Sequence, residues 1–228
     1  MELEIIYRDA DFVAINKPCG LLVHRTRIAE EQQFFALQLL RDQLGQWVYP
    51  VHRLDRPTSG VLIFGLHEAA AGALQKLMME KVVEKKYWAV VRGHVHSEDV
   101  LDYPLKKQET GRMQEAQTYY KPLAQTELPI AVSRYDSVRY TLVEAQPLTG
   151  RMHQLRRHFA HLRHYIIGDK RHGERHHNRM FKERLACPFM LLHAFSLRFE
   201  QPFSGEKVDI FAPFPLHWRR VMPFLAFK

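Results

Sequence analysis

His52-Arg53-Leu54-Asp55-Arg56-Pro57-Thr58-Ser59-Gly60 joins two apolar runs, and the way it joins them decides the fold. Upstream, Trp47-Val48-Tyr49-Pro50-Val51 reads as a strand arriving; downstream, Val61-Leu62-Ile63-Phe64 leaves as a buried strand. Pro57 fixes its own φ and moves Arg56 away from the α region, and Ser59-Gly60 punctuates a turn. Asp55 is therefore presented on a tight loop between two core strands, with an arginine on either side in the chain. Nearby positive charge keeps a carboxylate ionised, which suits a nucleophile. The same residues also fit an ordinary loop aspartate paired with neighbouring arginines, and the loop alone leaves both readings open.

Outward from this loop the chain alternates strands with a few helices. Leu3 to Tyr7 and Phe12 to Ile15 read as short strands, Lys17-Pro18-Cys19-Gly20 as a turn, and Gln32 to Leu44 as a helix ended by Gly45. His67 to Glu80 is a second helix with Ala70, Leu74, Leu77 and Met78 on one face. Lys85 to Val91 alternates as a strand carrying Tyr87, which by itself fits a core tyrosine with its hydroxyl at the rim. Ser97 to Gly111 reads as polar and irregular. Ala116 to Tyr120, Ser137 to Gln146, Leu191 to Phe199 and Lys207 to Phe211 read as strands, and Leu216 to Leu225 as a closing helix. Mostly hairpin-length connections make this an α+β chain with a mixed, mainly antiparallel sheet and flanking helices.

A helix is expected over Arg151 to His164. At about 100° per residue, Met152, Leu155, Phe159 and Leu162 share one face, His153, Arg157, His161 and His164 an adjoining polar one. Arg156 falls at the border, where a long side chain buries its stem and delivers its head to a partly enclosed site; Arg157 should face solvent.

With 228 residues and 46% hydrophobic composition, the chain is long enough for a full core. The formal charge is +8, and an acidic partner, nucleic acid first, is expected. Arg151 to Arg184 alone holds ten Lys and Arg against three Asp and Glu, with seven of the 14 histidines. That tract reads as an RNA- or DNA-facing surface, its histidines supplying hydrogen bonds and stacking. A metal site is not expected there: lysine and arginine interleave the histidines, and zinc usually recruits thiolates or carboxylates at fixed spacing. The two cysteines have no CxxC spacing, and the charged N-terminus lacks a signal-peptide core, so a reducing, cytoplasmic setting is expected. No run approaches transmembrane length. P-loop, GxGxxG, GxSxG and HExxH patterns are absent from the sequence.

Several segments, in order, resemble pseudouridine synthases of the RluA type: Val13-Ala14-Ile15-Asn16-Lys17-Pro18-Cys19-Gly20-Leu21, the loop His52 to Gly60, Lys85-Lys86-Tyr87, and Leu148 to Arg156. Ile166-Ile167-Gly168-Asp169 and Leu191-Leu192-His193-Ala194 extend the likeness. The resemblance implies one catalytic domain over 1–228, without a preceding RNA-binding module, whose sheet carries a central RNA-binding cleft. It implies isomerisation of a uridine in RNA to its C-glycoside, without cofactor or metal. Asp55 would be the nucleophile, Arg156 would pair with it, and Tyr87 would stack on the uracil and serve in proton removal from C5. Arg53 would fill the space a flipped base vacates; Arg56, Arg151, His153, Gln154 and Arg157 would contact RNA. Arg53 to Gly60 and Gln154 to His158 are most similar to the tRNA-modifying branch that targets uridine 65 in the T-arm stem, so tRNA is the expected partner of a monomer with no obligate protein partner. The alternatives are the same reaction on rRNA, or a non-catalytic RNA-binding protein of this fold.

Overall fold

Seven consecutive residues, Ser59 to Gly65, are buried, so the strand they form can lie only inside a sheet covered on both faces. Around it, a computed structural model describes residues 1–24 and 34–227. The strands are β1 Ile5–Arg8, β2 Phe12–Lys17, β3 Tyr49–Pro50, β4 Ser59–Gly65, β5 Glu84–Arg92, β6 Asp99–Asp102, β7 Leu105–Lys106, β8 Met113–Gln114, β9 Gln117–Leu128, β10 Val138–Pro147, β11 Leu192–Glu200 and β12 Lys207–Phe211. The helices are α1 Ala36–Leu44, α2 Glu68–Met79, α3 Gln154–His161, α4 Arg175–Leu185 and α5 Leu216–Leu225. Two compact units result, one of Met1–Lys85 with Ala194–Phe214, the other of Lys86–His193 with Pro215–Lys228.

In the first unit, β2 pairs antiparallel with β1 on one side and β4 on the other, and β11 pairs antiparallel with β12. α2 covers this sheet: its N-cap is His67, whose side chain accepts from the Ala70 N–H, and it buries Ala70 and Leu74 against Phe12, Ala14, Ile63, Leu197 and Ile210. Each large apolar side chain so buried contributes about 1.5–3 kcal/mol. Gly60 has φ +108°, and a Cβ there would run into the backbone of Ala194, so the loop enters β4 only through glycine.

In the second unit, β10 lies between β5 and β9, and β6 lines the outer edge of β9, all antiparallel. The pairing of β10 with β9 shifts register between Leu142 and Val143. Ala89, Val91, Val143 and Ala145 form one face of this sheet, and α3 sets Leu155 and Phe159 on it.

The departures from the sequence reading have local causes. The arriving strand shrinks to Tyr49–Pro50, since Trp47 is 69% exposed. The first helix starts at Ala36; Gln32 lies outside the described residues. Ser97 to Gly111 is not irregular: it holds β6 and β7, and β7 pairs with β8 as a hairpin. As an edge strand, β6 carries polar ends and gives no apolar alternation. The helix expected over Arg151 to His164 is confined to Gln154–His161, with Met152 exposed ahead of it. Within the basic tract, α4 was not anticipated. Among the described residues no helix is long and apolar enough to cross a membrane.

Candidate active site

Asp55 and its neighbours Arg53 and Arg56 lie in the first unit; Tyr87, Arg151, His153, Gln154, Arg156 and Arg157 lie in the second. In the first unit, Asp55 is half-buried, with Arg53 and Arg56 exposed on either side. The Thr58 N–H donates to the Asp55 carbonyl (3.0 Å), closing the turn that Pro57 shapes. A second turn, Lys17 to Gly20, braces this one. The Gly20 N–H donates to the Arg56 carbonyl (2.8 Å), Arg56 Nε to the Gly20 carbonyl (3.0 Å), and Cys19 Sγ to the Pro57 carbonyl (3.0 Å).

Lys17 is the hub of that brace, and sequence reasoning gave it no role. Its side chain is wholly buried, and Nζ donates to the carbonyls of Pro18 (2.9 Å), Leu21 (2.9 Å) and Arg56 (3.3 Å). Burial lowers its pKa to about 8, against the opposing pull of the Cys19 and Asp55 charges. The lysine of the Lys-Pro pair was visible in the sequence, but nothing local showed it turning inward. His52, opening the loop, is held neutral: burial, then the charge of Lys85, lowers it to about 4.

A pH signature follows. Between about pH 8 and 10.5 the unfolded chain binds the Lys17 proton more than the folded one, so this group makes stability rise with pH across that window. In Lys17→Met that rise should be missing, and the variant should also lose stability at pH 7, because three carbonyls lose a donor. Denaturant melts of both proteins at pH 7.5 and 9.5 check this; a wild type–variant gap that does not widen at the higher pH would contradict it.

In the second unit, Tyr87 lies on β5 opposite Ala145 of β10 and packs on the cluster that holds Leu155 and Phe159 of α3. Tyr87 and the helix bearing Arg156 are thus built on one core. Arg156 is 6% exposed and grips Asp169 with two parallel bonds, Nε to Oδ2 at 2.7 Å and Nη2 to Oδ1 at 2.9 Å. Asp169 Oδ1 also accepts the backbone N–H groups of Arg171 (2.9 Å) and His172 (3.0 Å). Burial pushes the Asp169 carboxyl up, but the Arg156 hydrogen bonds and charge and these two N–H groups outweigh it and hold the pKa below the usual carboxylate range. A guanidinium has five N–H donors, so the fork is fixed by two and presents the rest outside this pair. The helix phase that put Arg156 at a buried border is the one observed; Arg157 is half-buried rather than fully solvent-facing.

The residues expected to contact RNA behave differently from one another. Gln154 is buried, and its amide is fully used: Oε1 accepts from Thr149 Oγ1 (2.7 Å) and the Arg151 N–H (3.0 Å), while Nε2 donates to the Gln117 carbonyl (2.9 Å) and Thr118 Oγ1 (3.0 Å). It shapes the turn into α3. Arg151 Nε donates to the Glu115 carbonyl (2.9 Å). His153 caps α3 in the left-handed region (φ 54°), its Nδ1 3.0 Å from His172 Nε2. The histidines of the tract are not a uniform outer surface. His158 is buried between Thr118 Oγ1 (2.9 Å) and the Tyr103 carbonyl (3.0 Å), and His177 is buried against the Tyr140 hydroxyl (2.8 Å). Burial lowers both pKa values, that of His177 to about 4. Among the described residues no cluster of three or more His, Cys, Asp or Glu side chains is placed to hold a metal ion.

Residues 11–161 match the family described as RNA pseudouridylate synthase. The chain belongs to that family. Its members are isomerases that modify RNA, and the mixed, mainly antiparallel sheet with its helices is their fold. The tRNA pseudouridine synthase C of Vibrio parahaemolyticus is 46% identical over 97% of this chain and 94% of its own length. That of Haemophilus ducreyi is 43% identical over 96% and 94%. Among solved structures, human RNA pseudouridylate synthase domain containing 4 superposes with a TM-score of 0.75 at 26% identity, covering 99% of this chain and 94% of that one. Domain containing 1 of the same human family gives 0.70 at 28% identity, covering 94% and 84%.

Proposed function

We propose that this synthase converts a uridine in the T-arm stem of tRNA, at position 65, into pseudouridine, as a single catalytic domain working without cofactor. The observation that carries the tRNA assignment is the near full-length likeness to relatives named as tRNA pseudouridine synthases. Asp55 is the nucleophile. Its carboxylate assists cleavage of the bond from N1 to C1′, the released uracil turns while still held, and C5 joins C1′. The C5 proton then leaves, and N1 takes up a proton, so the reaction is an isomerisation with nothing consumed. Supporting this reading are the braced loop that fixes the Asp55 backbone, and an arginine, Arg156, whose orientation Asp169 sets. Tyr87 stacks on the uracil and serves in the removal of the C5 proton. Arg53, Arg56, Arg151, His153 and Arg157 face the RNA, with Gln154 holding the turn that presents Arg151 and His153.

A uridine in a stem must leave its stack, at a cost of a few kcal/mol. Exposed Arg53, beside Asp55, is suited to fill the vacated space. The test uses purified enzyme on unmodified tRNA and rRNA transcripts, with product mapped to the nucleotide. Modification of tRNA at position 65 is expected, and Arg53→Ala should slow the reaction on the folded stem by at least about tenfold more than on a short single strand carrying the same uridine. Fast modification of rRNA with tRNA left untouched would refute the substrate assignment and leave only the synthase.

A further inference from the structure

α4 has an inner face that is fastened down and an outer face that is not. Inside, His177 meets the Tyr140 hydroxyl and Phe181 packs edge-on against the Tyr140 ring at 5.2 Å. Asn178 spans the neighbouring turn: its Oδ1 accepts the Gly168 N–H (2.7 Å) and its Nδ2 donates to the Asp169 carbonyl (2.9 Å). Glu174 caps the first turn by accepting the N–H groups of His176 and His177. Gly168 has φ +78°, and a Cβ on it would strike the backbone at Phe189, so the turn that Asn178 spans is itself tightly fitted.

On the outside, Arg175, Arg179 and Lys182 are all exposed. At 100° per residue they fall within about 60° of arc, opposite the buried His177, Met180 and Phe181. Glu183 stands at the edge of the stripe. Among the described residues, none of the three cations forms an ion pair with an acidic side chain, although three long side chains so placed repel one another. The only side-chain hydrogen bond among them runs from Arg175 Nε to His176 Nε2, at 3.4 Å. No exposed aromatic residue lies on α4. Single-stranded RNA is usually held by aromatic stacking platforms, whereas a stripe of cations without them tracks a phosphate backbone and reads no base. From Arg175 to Lys182 the helix rises about 10 Å, enough to meet successive phosphates of one strand.

From these observations we infer that the outer face of α4, through Arg175, Arg179 and Lys182, is a grip for the phosphate backbone of an RNA duplex. The inference rests on the chain being an RNA-modifying enzyme and narrows the basic tract to one helix face. Because Asn178 ties α4 to the turn whose Asp169 holds Arg156, the grip is rigidly mounted on the frame that orients that arginine. A rigid mount lowers the ordering cost of binding.

The test compares three full-length proteins: wild type, Arg175→Ala/Arg179→Ala/Lys182→Ala, and a control that removes equal charge from exposed positions of the first unit, Arg8→Ala/Lys76→Ala/Lys207→Ala. Binding is measured by titration of a mixed-sequence RNA duplex that contains no target uridine, at several salt concentrations. Loss of affinity by tenfold or more, with the salt slope reduced by about two to three units, is expected for the α4 variant only. Arg179→Glu alone should weaken duplex binding in the same direction, and thermal melts show whether each variant is folded. Unchanged duplex affinity, or equal losses in the α4 and control variants, would overturn the inference. The duplex carries no substrate, so an enzyme found to act on rRNA instead of tRNA would sink the substrate assignment while leaving this result to stand or fall by itself.

Discussion

Asp55→Asn is expected to reduce turnover by at least about a thousandfold while leaving RNA affinity within a few-fold of wild type. Asparagine is nearly isosteric, and the loop that holds residue 55 is fixed by backbone bonds that do not involve its side chain: Thr58 N–H to the Asp55 carbonyl, and Gly20 N–H to the Arg56 carbonyl. The substitution therefore removes the negative charge and the nucleophilic oxygen and leaves these backbone bonds in place. The proposed phosphate contacts lie on other residues, so binding should persist. Rate and affinity must be measured separately, single-turnover conversion at saturating enzyme for the first and titration of unmodified tRNA for the second. Conversion at more than a few per cent of the wild-type rate, in a preparation free of host enzyme, would remove Asp55 from the nucleophile's role. Loss of binding together with loss of rate would instead show that the carboxylate shapes the RNA surface.

What the sequence disclosed follows the strength of its local signals. β4 could be read because every residue from Val61 to Phe64 is apolar and a Pro-Thr-Ser-Gly turn precedes it. α2 could be read because Ala70, Leu74, Leu77 and Met78 recur at helical spacing; that His67 caps it emerges only in the fold. α4 could not: of its three buried side chains one is a histidine, and the rest of the helix reads as charge. The same blending misassigned the tract's histidines. His158 and His177 look like their solvent-facing neighbours in the sequence, and only the positions of Tyr103, Thr118 and Tyr140, brought in from distant strands, turn them into buried hydrogen-bonding groups. Gln154 stood in a motif that suggested an RNA contact, yet Thr149, the Arg151 N–H, Gln117 and Thr118 together use every donor and acceptor it has. Arg156 was placed correctly at a buried border by helix phase alone. Its partner Asp169 was not assigned, because the pair is 13 residues apart and joined across a turn that no periodicity reveals. Lys17 is a similar case: its three acceptors are carbonyls, which carry no sequence signature.

Asp169→Ala should be the most damaging single change to stability in the second unit, by about 3–5 kcal/mol, and should remove activity as well. The pair it breaks is almost wholly out of water, with side chains 6% and 1% exposed for Arg156 and Asp169. Losing the carboxylate removes the acceptor of two buried guanidinium bonds and leaves the Arg171 and His172 N–H groups without the oxygen they share. The turn spanned by Asn178 then loses its inner support. The sign of the pH dependence follows from the lowered pKa of Asp169: its contribution is complete above the ordinary carboxylate pKa, near 4, and is lost as pH falls below it. Replacing both partners with apolar residues, as in Arg156→Met/Asp169→Leu, should recover much of the stability, because a buried ion pair gains little over a packed hydrophobic pair. Activity should not return, since the oriented guanidinium is gone. That contrast separates the two duties of Arg156. Arg157, its half-buried neighbour, gives the reference: Arg157→Ala should change stability by about 0.5 kcal/mol or less and lower the salt slope of RNA binding by about one unit. Urea melts and single-turnover rates on wild type, Asp169→Ala, Arg156→Met/Asp169→Leu, Arg156→Ala and Arg157→Ala decide the matter. Similar losses from Arg156→Ala and Arg157→Ala, or a double variant that regains turnover along with its fold, would show that the Arg156–Asp169 pair has no part in the chemistry.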